Sequence, residues 1–193
     1  MNMSSANQLS ARQRLLEAAS RLFYAGGVVG TGIDAITTEA GVAKKSLYNN
    51  FASKEDLVLA YIEARHDQWL ELYQIRRAQA LNPNDQVLAV FDAYTDHASA
   101  GYEHGFRGCG LLNAAAELPV GSPGREAVRH HKEHVEQILA EHLKESHPEP
   151  EALKLAEHLA FLLEGAMSRA GLEGEPERLL HARQIANNLL GNP

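Results

Sequence analysis

The chain has 193 residues, of which 45% are hydrophobic, with a formal charge of −7 and a single cysteine. That length suits one or two small domains with a buried core, and one cysteine excludes an internal disulfide, as expected in a reducing compartment. Neither the leader, Met1 to Leu9, nor any later run has the apolar character of a signal peptide or the roughly 18 apolar residues of a membrane span, so a cytoplasmic protein is expected.

In chain order, a first helix is predicted over Ser10 to Ala25. Leu15, Leu16, Ala19, Leu22 and Phe23 fall on one of its faces, and Ser10 with Gln13 reads as a capping box. Glycines at 26, 27, 30 and 32 end it. A short second helix follows, with Ile33, Ile36 and Ala40 on its inner side, and Gly41 turns the chain. The third helix, roughly Ala43 to Phe51, is anchored by Leu47 and Phe51 four residues apart, which leaves Lys44, Lys45, Ser46, Tyr48 and Asn49 for an outward face. This is a helix-turn-helix whose second helix is polar.

A long helix capped by Ser53 and Asp56 is predicted to run to about Ala80, where Asn82-Pro83-Asn84 breaks it. Another spans about Asp85 to Gly101. Gly105 to Gly110 interrupts before Leu111 to Leu118, and Pro119 to Gly124 is a loop. Helices at about 125–146, 151–171 and 176–190 complete an all-α chain of about nine helices.

The acidic net charge is unevenly placed. Residues 1–54 hold six Lys/Arg against three acids, whereas residues 55–193 hold 12 basic and 22 acidic residues. A mildly basic head on an acidic body leaves phosphate contacts possible at one end and limits nonspecific adhesion.

Ala40-Gly41-Val42, Leu47-Tyr48-x-x-Phe51 and Ser53-Lys54-Glu55, within Arg12 to Leu57, resemble the amino-terminal domain of TetR-family transcriptional regulators. Ala43 stands where the family often has serine or threonine, and Lys45 where it has glycine, so the operator sequence does not carry over. The resemblance implies a helix-turn-helix DNA-binding domain at 1–53 and a ligand-binding and dimerisation domain at 54–193. It implies phosphate contacts from Tyr48 and from Lys54 at a helix start, with Thr31 and Thr37 as weaker candidates. Lys44, Lys45, Ser46 and Asn49 are the candidates for base edges, lysine for guanine acceptors and asparagine for adenine. The plainer reading of these residues is a solvated helix face.

The eighth helix is apolar over about half its circumference, wider than the roughly 100° stripe of an ordinary surface helix. Together with the last helix it has two surfaces to bury, and in the resembling family this pair forms a four-helix dimer interface. Leu159, Leu163, Ala166, Ile185 and Leu189 are the interface candidates. A two-fold protein presents two recognition helices and prefers a pseudo-palindromic operator.

Family members hold an effector in the second domain. Trp69, Tyr94, Tyr102 and Asn113, with His131 and His142 on the inner stripe of the seventh helix, are the candidates to line its pocket; each also reads as a core or rim residue. His130-His131-x-x-His134 spreads too widely around its helix to hold a metal, and neither a metal nor another cofactor is expected. Cys109, in Arg107-Gly108-Cys109-Gly110, resembles a position at which some family members sense oxidants or electrophiles, and Arg107 would favour the thiolate. A small buried residue at a helix start is the alternative. No catalytic spacing is present, so the expectation is a ligand-responsive repressor acting as a homodimer. The rival is a helical small-molecule binding protein without DNA function.

Overall fold

The computed structural model describes residues 9–191. Among them are nine helices and no strand: α1 (Ala11–Gly26), α2 (Ile33–Glu39), α3 (Lys44–Asn50), α4 (Lys54–Arg77), α5 (Pro83–Ala98), α6 (Gly110–Glu117), α7 (Pro123–Leu143), α8 (Glu149–Glu173) and α9 (Glu177–Leu189). No helix among the described residues is long and apolar enough to cross a membrane.

The predicted capping box starts α1: Gln13 N donates to Ser10 Oγ at 3.2 Å, and Ser10 N donates back to Gln13 Oε1 at 2.9 Å. The α1–α3 unit closes around Leu15, Ile36 and Leu47, all fully buried. Ser53 caps α4 by accepting from Asp56 N at 3.0 Å. The first turns of α4 pack on α1, where the Phe23 and Tyr61 rings meet edge to face at 5.5 Å. Its later turns pack on α5 and α7, so one rod joins the head to the body. In the body α8 packs between α7 and α9, α9 returns to α5, and the short α6 lies across α1, α4 and α7.

Two prolines expected in breaks sit inside helices instead. Pro83 and Pro123 occupy the first turns of α5 and α7, behind caps at Asn82 and Ser122. The first turn of a helix is where a missing N–H leaves nothing unsatisfied, so a proline there starts a helix rather than stopping one. Helix α4, in turn, stops at Arg77, short of Ala80.

The subunit face needs a larger correction. Leu159 and Leu163 are fully buried inside the chain, and Ala166 nearly so, because they continue the inner stripe Ala152, Ala156, Met167 and Ala170. The outer apolar face of α8 is a different set, led by Phe161 at 64% exposure and Leu172 at 84%. Helix α9 adds exposed Leu180 and Leu189, with Ile185 half-buried. Helix α8 does have two apolar faces, but the expected Leu159 and Leu163 lie on its inner one, whereas the expected Leu189 of α9 is exposed.

Candidate nucleic-acid interface and effector chamber

The α2–α3 turn is fixed from outside itself. Gly41 adopts φ 61°, a left-handed conformation that glycine takes without strain. The Arg14 guanidinium of α1 donates to the carbonyls of Ala40 at 3.4 Å and Gly41 at 3.3 Å, which caps α2 and ties the turn to α1. With Leu47 and Phe51 buried beneath it, α3 projects Lys44, Lys45, Tyr48 and Asn49 into solvent, Tyr48 at 51% exposure. Ser46 is half-buried. Lys54 opens α4, four residues after α3 ends, and donates from Nζ to Val29 O at 3.4 Å.

Three expectations change in detail. Thr31 and Thr37 are buried, and each donates its single hydroxyl proton inward, Thr31 to Gly27 O at 2.6 Å and Thr37 to Asp34 O at 3.1 Å. They have no side-chain proton left for a phosphate oxygen. Lys44 is paired with Asp34 at 2.8 Å, which raises its pKa. Arg21 is paired with Glu39 at 2.8 Å. The free cationic surface of the head is therefore narrower than its charge count, and rests on Arg12, which lies over the Phe51 ring, with Lys45 and Lys54.

In the body, Trp69, Tyr94 and His131 meet as predicted. The Trp69 ring lies 5.4 Å from Tyr94, 5.5 Å from His131 and 5.6 Å from Tyr73. Trp69, Tyr94 and His131 line a cavity of about 20 Å³ together with Arg65, His97, Cys109, Gly110, Leu111 and Met167. A space of that size holds about one water. Burial pushes the pKa of His131 down to about 2, reinforced by Lys132 and by His66, His134 and His97, and that of His97 down to about 3, reinforced by Arg65 and Lys132. Both rings are neutral at pH 7. Trp69 Nε1 is buried with no hydrogen-bond partner among the described residues.

Two expected lining residues lie elsewhere. Asn113 is exposed and donates to Arg107 O at 2.9 Å, a loop clamp. His142 is buried, but one layer away, with Nε2 2.6 Å from the Tyr73 hydroxyl. Tyr102 does not line this cavity either but the neighbouring open cleft: its ring stacks on Tyr24 at 4.4 Å, and its hydroxyl is 2.9 Å from both Arg65 and His97. His66 Nδ1 is 2.8 Å from His131 Nδ1, and His66 Nε2 is 3.4 Å from His134 Nδ1. No group of three or more such side chains among the described residues is arranged to hold a metal ion.

Cys109 is buried at the start of α6. The cation beside it is Lys132, whose Nζ lies 3.6 Å from Sγ and 2.6 Å from Glu164 on α8. Arg107, expected in that role, instead donates to the carbonyls of Tyr24 and Ala25 and caps the end of α1. Sequence reading missed Lys132 and Arg65. Arg65 had a signal, since Tyr61, Arg65, Trp69 and Tyr73 recur every fourth residue on α4 and so share one face.

A sequence model described as "Bacterial regulatory proteins, tetR family" matches residues 15–61. The structure of a TetR-family transcriptional regulator from Streptomyces coelicolor is 34% identical, with a TM-score of 0.81, over 91% of this chain and 93% of that one. The chain belongs to the TetR family of transcriptional regulators. A second TetR regulator, from Chloroflexus aurantiacus, is 27% identical with a TM-score of 0.81, over 94% of each chain. Among curated proteins, the HTH-type transcriptional activator FasR of Mycolicibacterium smegmatis is 33% identical over 94 residues, 47% of this chain and 43% of that relative. That alignment covers less than half of the relative's length. The matched residues 15–61 fall on α1–α3 and the first turns of α4.

Proposed function

We propose that the protein is a homodimeric, effector-released repressor that binds a pseudo-palindromic operator, with its DNA-binding head at 1–53 and its effector and dimerisation domain at 54–193. The observation that carries this is the outward row of Lys45, Tyr48 and Asn49 on a helix pinned by Leu47, with Lys54 at the start of the next helix. In this reading Tyr48 and Lys54 hold phosphates and so set register, while Lys45 and Asn49 read base edges. Lys44 joins them by exchanging Asp34 for DNA. Dimerisation through the outer faces of α8 and α9 sets two heads about 34 Å apart, or at a multiple of that spacing. We assign no catalytic step to the protein and place it in the cytoplasm.

Effector control follows if the ligand binds a head spacing that no longer fits successive grooves. A coupling of about 1–3 kcal/mol changes operator affinity roughly 5–150-fold. Because the cavity holds only about 20 Å³, Trp69, Tyr94 or Tyr102 must move for a ligand to enter.

Fluorescence-anisotropy titration against DNA tiled around the protein's own gene, at two salt concentrations, tests the proposal. Saturable binding to one palindromic tile, lost in Tyr48→Phe/Lys54→Ala, supports it. Equal weak binding to every tile counts against it. Transcription from that tile decides repressor against activator, the role named for FasR.

The contact of Lys132 with the Cys109 thiol favours a second reading, in which an oxidant or electrophile is the signal. Cys109→Ser with an undiminished inducer response removes it.

A further inference from the structure

Arg65 is a cation without a counter-ion. Its guanidinium donates to Gln68 Oε1 at 2.8 Å and to the Tyr102 hydroxyl at 2.9 Å, and it lies 2.7 Å from His97 Nε2, all neutral groups. No carboxylate pairs with it among the described residues, although Arg76, Arg129, Arg169, Arg178 and Arg183 each have one. Its charge faces the rings of Tyr24 and Tyr102, whose centroids are 5.8 and 5.9 Å away. A half-buried charge with only neutral partners retains a large part of its attraction for an anion.

Arg65 also lines two spaces at once. One is the small cavity with Trp69 and Tyr94. The other is an open cleft of about 530 Å³ between α1 (Ser20, Arg21, Tyr24), Glu39 of α2 and the segment 100–104. That volume lies within the roughly 300–1,000 Å³ usual for small-molecule sites. Of the two carboxylates lining the cleft, Glu39 is held by Arg21, and Glu103 stands exposed on the segment 100–104. The inner cavity is lined by no acid at all, and Trp69, one of its lining residues, has a buried N–H without a partner among the described residues. Among the described residues, Arg65 is thus the one cation of the cleft lining that has no carboxylate partner, since Arg21 is taken by Glu39. A cationic ligand finds no counter-ion on Arg65 or in the inner cavity, whereas an anion finds the Arg65 guanidinium.

We propose that the effector is a small organic carboxylate, aromatic or aliphatic, which seats its carboxylate on Arg65 in the cleft between α1 and the segment 100–104 and turns its apolar part against Tyr24 and Tyr102. Such a ligand wedges between the head and the body. It competes for the Arg65 donor that holds the Tyr102 hydroxyl, and Arg65 also lines the inner cavity beside Trp69. This deepens the effector-release reading above and rests on it.

The test uses the full chain without DNA. Trp69, the single tryptophan of the sequence, supplies the fluorescence signal. The probes are phenylacetate and cyclohexanecarboxylate, compared with the neutral phenylacetamide and the cationic phenethylamine. The carboxylates are expected to give a saturable change in emission and a rise in Tm that the amide and the amine do not. Arg65→Gln is expected to weaken carboxylate binding at least about tenfold, while Arg65→Lys keeps part of it. The comparison of carboxylate with amide needs only the native chain, so a poorly folded variant does not decide the result. Carboxylates that act no better than the amide, that bind Arg65→Gln equally well, or that leave both signals unchanged overturn the proposal. Operator binding by the ligand-free protein is measured separately, so failure of the regulator reading is seen independently.

Discussion

Glu117, the last residue of α6, accepts the backbone N–H of Val29 at 2.7 Å. One end of this bond belongs to the body and the other to the loop between α1 and α2. A Cβ on Gly27, which has φ 84°, would lie 2.5 Å from Glu117 Oε1, so the carboxylate fills the space that the glycine leaves. Together with Arg107 on the end of α1, it ties the head to α6 at two points.

Glu117→Ala is expected to lower stability by about 1 kcal/mol, since the bond is charge-assisted but exposed. For a chain of this size that is roughly 2–4 °C in Tm by scanning calorimetry. Gly27→Ala is expected to cost more, because a side chain there meets both a disfavoured φ and the carboxylate. A Tm unchanged in both variants would show that the contact carries no energy.

Lys54→Ala is expected to weaken binding to all DNA sequences alike and to reduce the slope of log K against log salt by about one. Asn49→Ala is expected to lose about 1–3 kcal/mol at one base pair of the operator and little on variants of that pair. Titration of an operator-variant panel separates the two; equal loss on every variant removes the readout role of Asn49.

Phe161 stands 64% exposed beside a trough of about 240 Å³ that is lined by Leu162, Gly165, Ala166, Ala182 and Ile185 from α8 and α9. Phe161→Glu is expected to give monomers in sedimentation velocity and to abolish tight operator binding while keeping the helical circular dichroism. Leu112→Glu, an exposed leucine on α6, serves as the control and should remain dimeric. A dimer that survives Phe161→Glu places the subunit contact elsewhere.

His97 and His131 are buried and neutral, with pKa values pushed from 6.5 to about 3 and about 2. The unfolded chain therefore binds protons that the folded chain refuses. Their stabilising effect is complete above pH about 6.5 and is lost as pH falls from there toward the folded values, by up to about 1.4 kcal/mol per pH unit for each ring. The groups that face them, Lys132, Arg65, His66, His134 and Tyr94, add no negative charge to offset this. Urea midpoints are expected to fall between pH 7 and 5, and to fall less steeply in His131→Asn. Equal slopes would assign the acid sensitivity to other groups.

The head was legible because its signals are local. A capping box, a turn glycine and Leu47–Phe51 spacing each act within a few residues, and each formed where expected. Apolar periodicity also located α8, but periodicity alone does not say which apolar row faces inward. Leu159 and Phe161 are both large and apolar, and only packing against α7 and α9 separates them. The chamber was legible in its aromatic members and not in its charges. Arg107 and Lys132 are far apart in sequence, and which of them reaches Cys109 depends on how the loop before α6 folds back on α1. Thr31 and Thr37 failed similarly, since a hydroxyl's orientation is set by the nearest carbonyl.

Gly171 of α8 meets the backbone of Gly108 so closely that a Cβ on it would lie 2.5 Å from Gly108 Cα. The 25-residue α8 is a rod of about 37 Å that bears the trough along one side and rests on the 101–109 segment near its far end. Any second copy of the chain that leans on the trough thus also braces, backbone to backbone, the segment that roofs the arginine. If the proposed dimer forms on the trough and the proposed ligand enters beside Arg65, the two events share a mechanical part, and dilution of the protein is expected to alter its appetite for ligand.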